Sequence, residues 1–300
     1  MNTNKIIVYF SESKTLATNL SMQTNIPCFE LKPLVYSFGE FSVVIPDIPL
    51  QSDIYFVIQN VGEPTKSLMH VFMALDALEN KDPLSVNLVV PYLPFSRQDR
   101  KKGENRAVAS RVLGKLFNTS KVDKIYTFDL HNPVIIDYFT SEVINLSMLD
   151  DFVTYFASLA LEDVVIVAPD HGRFNAARYV ADAFNASFVL INKMRDEEGG
   201  VYVTSIEGDT NGKTALIIED IIDTGTTLVS AVTALKAQGV KAVYVAATHG
   251  VFSGNALKSI KALGLKNIVI TNTIPQHIID PLVVVLPIEN HLVKIMHQSE

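Results

Sequence analysis

One pattern recurs along the chain: a short apolar, β-branched run ends in polar or charged residues, and a stretch with helical spacing follows. The runs lie at 54–59, 87–92, 124–130, 164–170, 215–220, 242–249 and 267–273. Apolar strands that alternate with helices indicate parallel sheets covered by helices on both faces. The sequence therefore predicts an α/β fold in which ligands bind beyond the carboxyl ends of the strands.

The length and composition suit a protein with two such domains. The chain has 300 residues, of which 48% are hydrophobic, so two cores can be buried, and we place the break near Glu142–Asp151. The net charge of −7 argues against a general nucleic-acid binder, and the single Cys28 excludes an internal disulfide. The N-terminus lacks the features of a signal peptide, and no apolar run is long enough to cross a bilayer. We therefore expect a cytoplasmic protein without nucleic-acid or membrane partners.

The segment Ala215–Leu228, which reads ALIIEDIIDTGTTL, carries the most specific signal. We expect ALII to form a strand with two acids at its end, followed by a turn that leads into a helix. Gly225 frees the backbone so that several N–H groups can point at one anion. Thr226 or Thr227 is expected to cap the helix and to offer a hydroxyl.

This arrangement would suit a phosphorylated sugar. The positive end of the helix dipole favours phosphate, while Glu219 and Asp220 can accept hydrogen bonds from sugar hydroxyls or hold a metal. The plainer interpretation is a strand, turn and helix with capping threonines and solvated acids, which a short DTGTT motif alone does not exclude.

Two further loops contain residues that suit phosphate groups. Pro169–Arg173, which reads PDHGR, offers Asp170 as a Mg²⁺ ligand and Gly172 for close backbone approach, although the same composition occurs in ordinary turns. Pro91–Lys102 is a basic loop that would clamp a polyphosphate or simply be solvated. Its cations are Arg97, Arg100, Lys101 and Lys102.

Two weaker signals accompany these loops. His131 follows a predicted strand, where a lone histidine is more often structural than a ligand, since Mg²⁺ prefers oxygen. Lys193 and Arg195 precede the glycine-bearing stretch Asp196–Gly200. A flexible cationic loop of this kind can close over a transferring phosphoryl group, or it can be an exposed turn.

Taken together and in order, these segments resemble the ribose-phosphate pyrophosphokinase, or PRPP synthetase, family. The resemblance runs through nearly the whole chain and rests on PYLPFSRQDRK, TFDLH, APDHG, the Lys-x-Arg pair, IIEDIIDTGTT, THGVFSG and VITNTIP. One such motif would be weak support, whereas the full ordered set is specific.

The resemblance implies a fold and a reaction. The fold is two tandem phosphoribosyltransferase-like domains, each a mainly parallel sheet flanked by helices, over 1–145 (to which 287–300 return) and 146–286. In the reaction, the C1 hydroxyl of ribose 5-phosphate attacks the β-phosphorus of MgATP, which gives PRPP and AMP. Mg²⁺ is the implied cofactor, and the implied assembly is a homo-oligomer built from dimers, with a hexamer as the family's form.

The resemblance also assigns site residues. Ribose 5-phosphate is expected on Glu219, Asp220, Asp223, Thr224, Gly225, Thr226 and Thr227. The expected diphosphate loop consists of Asp170, His171 and Gly172. ATP is expected on Tyr36, Glu40, Arg97, Gln98 and Arg100. The expected metal ligands are His131 and Asp170, and the expected catalytic residues are Lys193, Arg195 and His131.

The chain departs from the family pattern at several positions. Tyr36–Glu40, which reads YSFGE, stands where the family has Phe-Ser-Asp-Gly-Glu in contact with adenine, so Phe38 lacks a carboxylate that could accept from the base. Arg173 replaces the second glycine of the diphosphate loop, and Glu219 replaces the usual first aspartate. Gly225-Thr226 stands where Ala-Gly is usual, as in true phosphoribosyltransferases.

Two other function classes remain open from sequence. A phosphoribosyltransferase that consumes PRPP would explain the EDIIDTGTT motif, but it leaves the basic loop and His131 without a role. A non-catalytic homologue that regulates a synthetase would predict a damaged Lys193/Arg195 pair or a damaged metal site, and the residues of both are present.

Overall fold

The computed structural model describes residues 4–59, 62–101, 105–195 and 201–298, with the backbone alone at Arg195, Val201 and Gln298. The strands are β1 Asn4–Tyr9, β2 Cys28–Glu30, β3 Lys32–Val35, β4 Phe41–Val44, β5 Ser52–Val57, β6 Ser85–Val89, β7 Lys124–Phe128, β8 Glu142–Leu146, β9 Val164–Ala168, β10 Ser187–Arg195, β11 Val201–Glu207, β12 Thr214–Ile222, β13 Ala242–Gly250, β14 Asn267–Thr271 and β15 Val283–Leu286. The α-helices are α1 Lys14–Thr24, α2 Pro64–Glu79, α3 Ala109–Phe117, α4 Leu149–Ser158, α5 Phe174–Phe184, α6 Thr226–Ala237, α7 Ala256–Lys261 and α8 Glu289–Gln298. Short 3₁₀ turns occupy Ser11–Ser13, Ser37–Gly39, Pro133–Tyr138 and His171–Arg173.

The chain folds into two compact units. Unit 1 comprises Met1–Leu146, Thr273–Pro275 and Ile288–Glu300, and unit 2 comprises Ser147–Asn272 and Gln276–Pro287. Each unit contains its own sheet and its own hydrophobic core.

Unit 1 is built on a six-stranded sheet in the order β2-β1-β5-β6-β7-β8. Every strand pair in it is parallel, while β3 and β4 form a separate antiparallel hairpin. Its apolar strand residues are buried because helices cover the sheet, and α2 contributes Leu75 and Leu78 to the core. Burying a leucine of this kind stabilises a fold by roughly 1.5–3 kcal/mol.

Unit 2 is built on a seven-stranded sheet in the order β11-β10-β9-β12-β13-β14-β15. Its pairs are parallel except for the β10–β11 hairpin. The predicted class, α/β with mainly parallel sheets flanked by helices, is therefore confirmed. After β9 the chain continues to β10 on one side, and after β12 it continues to β13 on the other side. The loops that follow these two adjacent strands therefore run in opposite directions, and α/β folds bind ligands in the crevice at such a point.

In the described part of the chain, no helix combines the length and the apolar character that crossing a membrane requires.

His70 is a buried polar residue on α2. Its imidazole is 9% exposed and lies close to the rings of Phe10 and Phe41, and its Nε2 atom has no hydrogen-bond partner among the residues that the structure describes. The cavity beside it has a volume of about 10 Å³, which is room for one water molecule. Burial lowers the pKa of His70 below its ordinary value of 6.5, because a charged imidazole would lose its hydration there.

We expect this histidine to make unit 1 sensitive to acid. Below pH 6.5, His70 becomes protonated in the unfolded chain, whereas in the folded chain it stays neutral until the pH reaches its lower pKa. The free energy of unfolding therefore falls as the pH falls. Between pH 7.5 and 5.5, the melting temperature should fall by roughly 3 °C more for the wild type than for His70→Leu. Thermal melts followed by circular dichroism measure this difference. His277→Leu, which removes an exposed histidine, should retain the full acid dependence.

Candidate functional site

The predicted ribose-phosphate loop lies at the carboxyl end of β12. The strand continues to Ile222, two residues beyond Asp220, and the turn from Asp223 leads to Gly225, whose φ of 77° only glycine adopts readily. Gly225 is also the N-cap of α6, so the expectation that Thr226 or Thr227 caps this helix is wrong. The Thr226 hydroxyl lies 3.0 Å from the Thr224 hydroxyl instead. The first N–H groups of a helix have no intrahelical partner, which suits them to an anion.

The two acids of this segment are buried inside the strand rather than solvated at its end. Glu219 is 8% exposed and Asp220 is 4% exposed. Asp220 Oδ2 lies 3.7 Å from Arg173 Nη1, and the Arg173 side chain is also largely buried. Arg173, the departure from the family's glycine, therefore supplies the positive charge that a buried aspartate requires.

Glu219 is a buried carboxyl with a shifted pKa. Burial raises its pKa well above the ordinary value, and the negative charges of Asp220 and Asp170 raise it further. The positive charges of Lys193 and Arg173 act in the opposite direction. Five residues of unit 2 therefore lie close enough to interact electrostatically: Glu219, Asp220, Asp170, Lys193 and Arg173.

The predicted diphosphate loop follows β9. The Asp170 carboxylate accepts a 2.8 Å hydrogen bond at Oδ1 from the Gly172 N–H and so fixes the turn through His171. Because β9 pairs in parallel with β12, this turn and the ribose-phosphate loop lie at the same end of the sheet.

Lys193 reaches the ribose-phosphate loop directly. It follows a shift in the register of β10 against β11 between Asn192 and Lys193, and its Nζ donates a 3.0 Å hydrogen bond to the Thr227 carbonyl. Arg195 ends β10, and its side chain lies outside the described residues, as does the predicted mobile loop 196–200.

Three of the five predicted nucleotide-binding residues lie on the loop after β6. Arg97, Gln98 and Arg100 are exposed, and the Gln98 carbonyl accepts bonds from both the N–H (3.3 Å) and the hydroxyl (3.0 Å) of Ser110. Lys102, also predicted there, lies outside the described residues. We refer to Pro91–Lys101 as the basic loop.

His131 lies on the neighbouring loop after β7, and we refer to Asp129–Asn132 as the histidine loop. β6 and β7 pair in parallel, so the two loops emerge side by side. Asn132 Nδ2 donates a 2.7 Å hydrogen bond to Asp99 Oδ2 of the basic loop. Sequence reasoning missed both residues of this contact, because neither belongs to a type or a spacing that marks a site.

Tyr36 and Glu40 lie at the tip of the β3–β4 hairpin. The Tyr36 N–H donates to the Glu40 carbonyl at 2.7 Å, which closes the turn. Phe38 is fully exposed at this tip and has a φ of 67°, a left-handed conformation that is strained for a phenylalanine.

Among the described residues, no group of three or more His, Cys, Asp or Glu side chains is placed to hold a metal ion. The two predicted ligands lie in different units, His131 in unit 1 and Asp170 in unit 2. Mg²⁺ often takes only one or two carboxylates and completes its shell with phosphate oxygens and water. Asp170 has the right chemistry, since its carboxylate can accept more than the bond from Gly172.

Two family models match the chain. The model described as the N-terminal domain of ribose phosphate pyrophosphokinase matches residues 5–120, and the model described as phosphoribosyl synthetase-associated domain matches residues 200–284.

Similar curated proteins and one similar solved structure extend this result. A ribose-phosphate pyrophosphokinase from Caldanaerobacter subterraneus subsp. tengcongensis is 34% identical over 91% of this chain and 87% of its own length. One from Bacillus caldolyticus is 36% identical over 80% of this chain and 76% of its own. The crystal structure of phosphoribosylpyrophosphate synthetase from Mycobacterium smegmatis superposes with a TM-score of 0.91 and 26% identity, over 99% of both chains.

Proposed function

The chain belongs to the ribose-phosphate pyrophosphokinase family, and we propose that its Asp220–Thr227 loop holds the ribose 5-phosphate of the reaction. The protein is an enzyme that makes PRPP: it transfers diphosphate from ATP to the C1 hydroxyl of ribose 5-phosphate and releases AMP. Units 1 and 2 would be its two phosphoribosyltransferase-like domains. The observation that carries the proposal is the hydrogen bond from Lys193 to the Thr227 carbonyl. It holds the lysine that would stabilise the transferring group against the loop that would bind the sugar phosphate.

The two ends of the ribose-phosphate loop would bind different parts of ribose 5-phosphate. The N–H groups at the start of α6 would bind the 5-phosphate, because the helix dipole and the unpaired donors favour an anion. Asp220 would accept hydrogen bonds from ribose hydroxyls, with its charge balanced by Arg173. Glu219, whose pKa burial raises, would offer its carboxyl to the sugar beside Asp220.

The transfer itself would need positioning and charge more than a covalent nucleophile. The C1 hydroxyl loses its proton to solvent and its oxygen forms a bond to the β-phosphorus, while the bond from that phosphorus to the oxygen shared with the α-phosphate breaks and AMP leaves with that oxygen. Lys193 and Arg195 would stabilise the negative charge on the transferring group. Mg²⁺ would supply further charge neutralisation on the triphosphate, with His131 and Asp170 as the protein ligands that the family resemblance assigns.

ATP would be bound by Tyr36, Glu40, Arg97, Gln98 and Arg100. The three residues of the basic loop are exposed, as a binding surface for an incoming triphosphate requires. The hairpin tip that carries Tyr36 and Glu40 also exposes apolar side chains, which suits a contact with a neighbouring copy in a homo-oligomer built from dimers. We place the enzyme in the cytoplasm, where both substrates occur.

One assay tests the proposed function. The protein is incubated with ribose 5-phosphate and MgATP, and AMP and PRPP are separated and quantified, with reactions lacking either substrate as controls. AMP and PRPP should form in equal amounts. PRPP consumption with a free base would point to a phosphoribosyltransferase, and no turnover with several nucleotides and phosphate concentrations would point to a non-catalytic homologue.

We predict that Phe38 weakens the preference for ATP. An aspartate at this position could accept from the exocyclic amino group of adenine, which guanine lacks at that position, whereas a phenyl ring accepts nothing there. Phe38→Asp should therefore raise the ratio of kcat/KM for ATP over GTP by about tenfold. It should also relieve strain, since aspartate tolerates a left-handed φ better than phenylalanine.

Competition between the two nucleotides in steady-state kinetics measures the ratio. Phe38→Leu, which removes the aromatic ring without adding a carboxylate, is the matched control and should leave the ratio low. A strong ATP preference in the wild type would contradict the prediction.

A further inference from the structure

Asp99 is a buried carboxylate in an otherwise exposed stretch. Its neighbours Gln98 and Arg100 are exposed, whereas Asp99 is only 4% exposed. A buried carboxylate is costly unless it is hydrogen-bonded or paired, so its partners show what holds the basic loop in place.

Those partners come from the histidine loop and the turn that follows it. Asn132 Nδ2 donates to Asp99 Oδ2 at 2.7 Å, and the Tyr138 hydroxyl donates to the Asp99 carbonyl at 3.1 Å. Arg100 Nε is more distant, at 3.9 Å from Asp99 Oδ1, and its side chain is mostly exposed. The hydrogen bond from Asn132 is therefore a closer polar contact of the carboxylate than the ion pair with Arg100.

Asn132 uses both ends of its amide. While Nδ2 reaches Asp99, its Oδ1 accepts a 3.2 Å bond from the Val134 N–H and caps the turn Pro133–Tyr138. The amide is thus fixed in one orientation, and it transmits the position of the basic loop to the backbone beside His131.

His131 is bracketed by two anchored positions. On one side, the Leu130 N–H donates a 3.0 Å bond to Asn145 Oδ1, and on the other side Asn132 is tied to Asp99. The loop also contains Asp129 with a φ of 34°, a left-handed conformation that needs support from its surroundings.

We propose that Asp99 and Asn132 are positioning residues for diphosphate transfer, which hold the basic loop and the histidine loop in one fixed arrangement for the triphosphate of ATP. The inference rests on the proposed function, since it takes the basic loop and His131 as parts of the nucleotide site. A positional error of about 1 Å in such a site costs on the order of 100-fold in rate, so one buried hydrogen bond between the loops matters to catalysis.

The experiment is a double-mutant cycle with Asp99→Ala, Asn132→Ala and the double variant. Each single variant breaks the same contact, and Asn132→Ala also leaves a buried carboxylate without its amide. We expect each to lower kcat/KM for ATP about 30-fold, and the double variant to lose about 30-fold as well rather than the product of the two losses. KM for ribose 5-phosphate should change less than about twofold.

A conservative variant and a matched control separate positioning from folding. Asp99→Asn keeps an acceptor oxygen for Asn132, so it should recover activity to within about threefold of the wild type. Asn118→Ala removes a 3.1 Å bond to the Tyr138 carbonyl in the same turn without touching the basic loop. It should lower the melting temperature and leave the kinetics for ATP unchanged.

Binding of MgATP, measured by calorimetry, provides a readout that needs no turnover, and Asn132→Ala should weaken it about tenfold. Lower melting temperatures with unchanged kcat/KM and unchanged MgATP affinity would overturn the proposal and leave the pair a purely structural contact. Losses that multiply in the double variant would also overturn it. A wild type that binds MgATP but makes no PRPP would instead refute the proposed function.

Discussion

Lys193→Ala is expected to lower kcat about 100- to 1,000-fold while changing KM for ATP and for ribose 5-phosphate less than about threefold. The Lys193 ammonium lies 3.0 Å from the Thr227 carbonyl, at the edge of the loop that we propose holds ribose 5-phosphate. In the transition state, negative charge is spread over the oxygens of the transferring group and develops on the leaving oxygen, so a cation aimed there contributes more to the transition state than to either substrate complex.

Steady-state kinetics with each substrate varied in turn separate kcat from KM. Lys213→Ala is the matched control, because Lys213 is a lysine of unit 2 whose Nζ pairs with Asp209 at 3.3 Å instead of contacting the loop. It should retain nearly full activity. A loss for Lys193→Ala that appeared only in KM would show that the lysine binds substrate and does not act mainly on the transition state.

The ends of strands such as Val164–Ala168 could be predicted from the sequence because an apolar, buried run changes there to polar and charged residues. Val164–Ala168 is apolar throughout, and the charged residues that follow mark the point at which the chain emerges from the core. Parallel sheets gather such points at one edge, so loops far apart in sequence could be predicted to share a site. The predicted loops at Asp170 and Asp220 do lie on adjacent strands of one sheet.

The local sequence pattern did not predict the burial of Glu219 and Asp220, because the charge that stabilises Asp220 comes from a residue distant in the sequence. Glu219 and Asp220 were expected at the end of a strand because carboxylates avoid the interior, yet β12 carries both through the core edge to Ile222. Arg173, on a different loop, balances the charge of Asp220, and nothing in ALIIEDII indicates it. The cap of α6 was misassigned for a related reason: the left-handed Gly225 replaces a threonine as N-cap, and the Thr226 hydroxyl bonds to Thr224.

The contact between Asp99 and Asn132 was beyond sequence reasoning for a third reason. Aspartate in a basic loop and asparagine before a proline are each ordinary on their own. Their meaning depends on the register of β6 against β7, which brings two loops 33 positions apart to within 2.7 Å. Side-chain hydrogen bonds of this range follow from the tertiary structure and leave no periodic trace in the chain.

Gly225→Ala is expected to weaken ribose 5-phosphate binding about 100-fold while changing the affinity for MgATP much less. A Cβ atom at this position would lie 3.0 Å from Ile260 Cδ1 and 3.1 Å from Ile260 Cγ1, so the turn or α7 must shift by a few tenths of an ångström. The φ of 77° adds backbone strain for any residue with a side chain. Both effects displace the N–H groups at the start of α6, and misplaced donors lose most of their value for a bound phosphate.

Gly212→Ala is the control for the effect of a left-handed backbone conformation on stability, without a steric clash of the added Cβ atom. Gly212 has a similar φ of 70°, but a Cβ there meets nothing within 4 Å, so the substitution adds the strain alone. Both variants should lose about 1–2 kcal/mol of stability in chemical denaturation, because the left-handed penalty is common to them. Only Gly225→Ala should lose affinity for ribose 5-phosphate in calorimetry. Equal affinities in the two variants would mean that the phosphate is bound elsewhere than at the N-terminus of α6, because only Gly225 lies at that helix end.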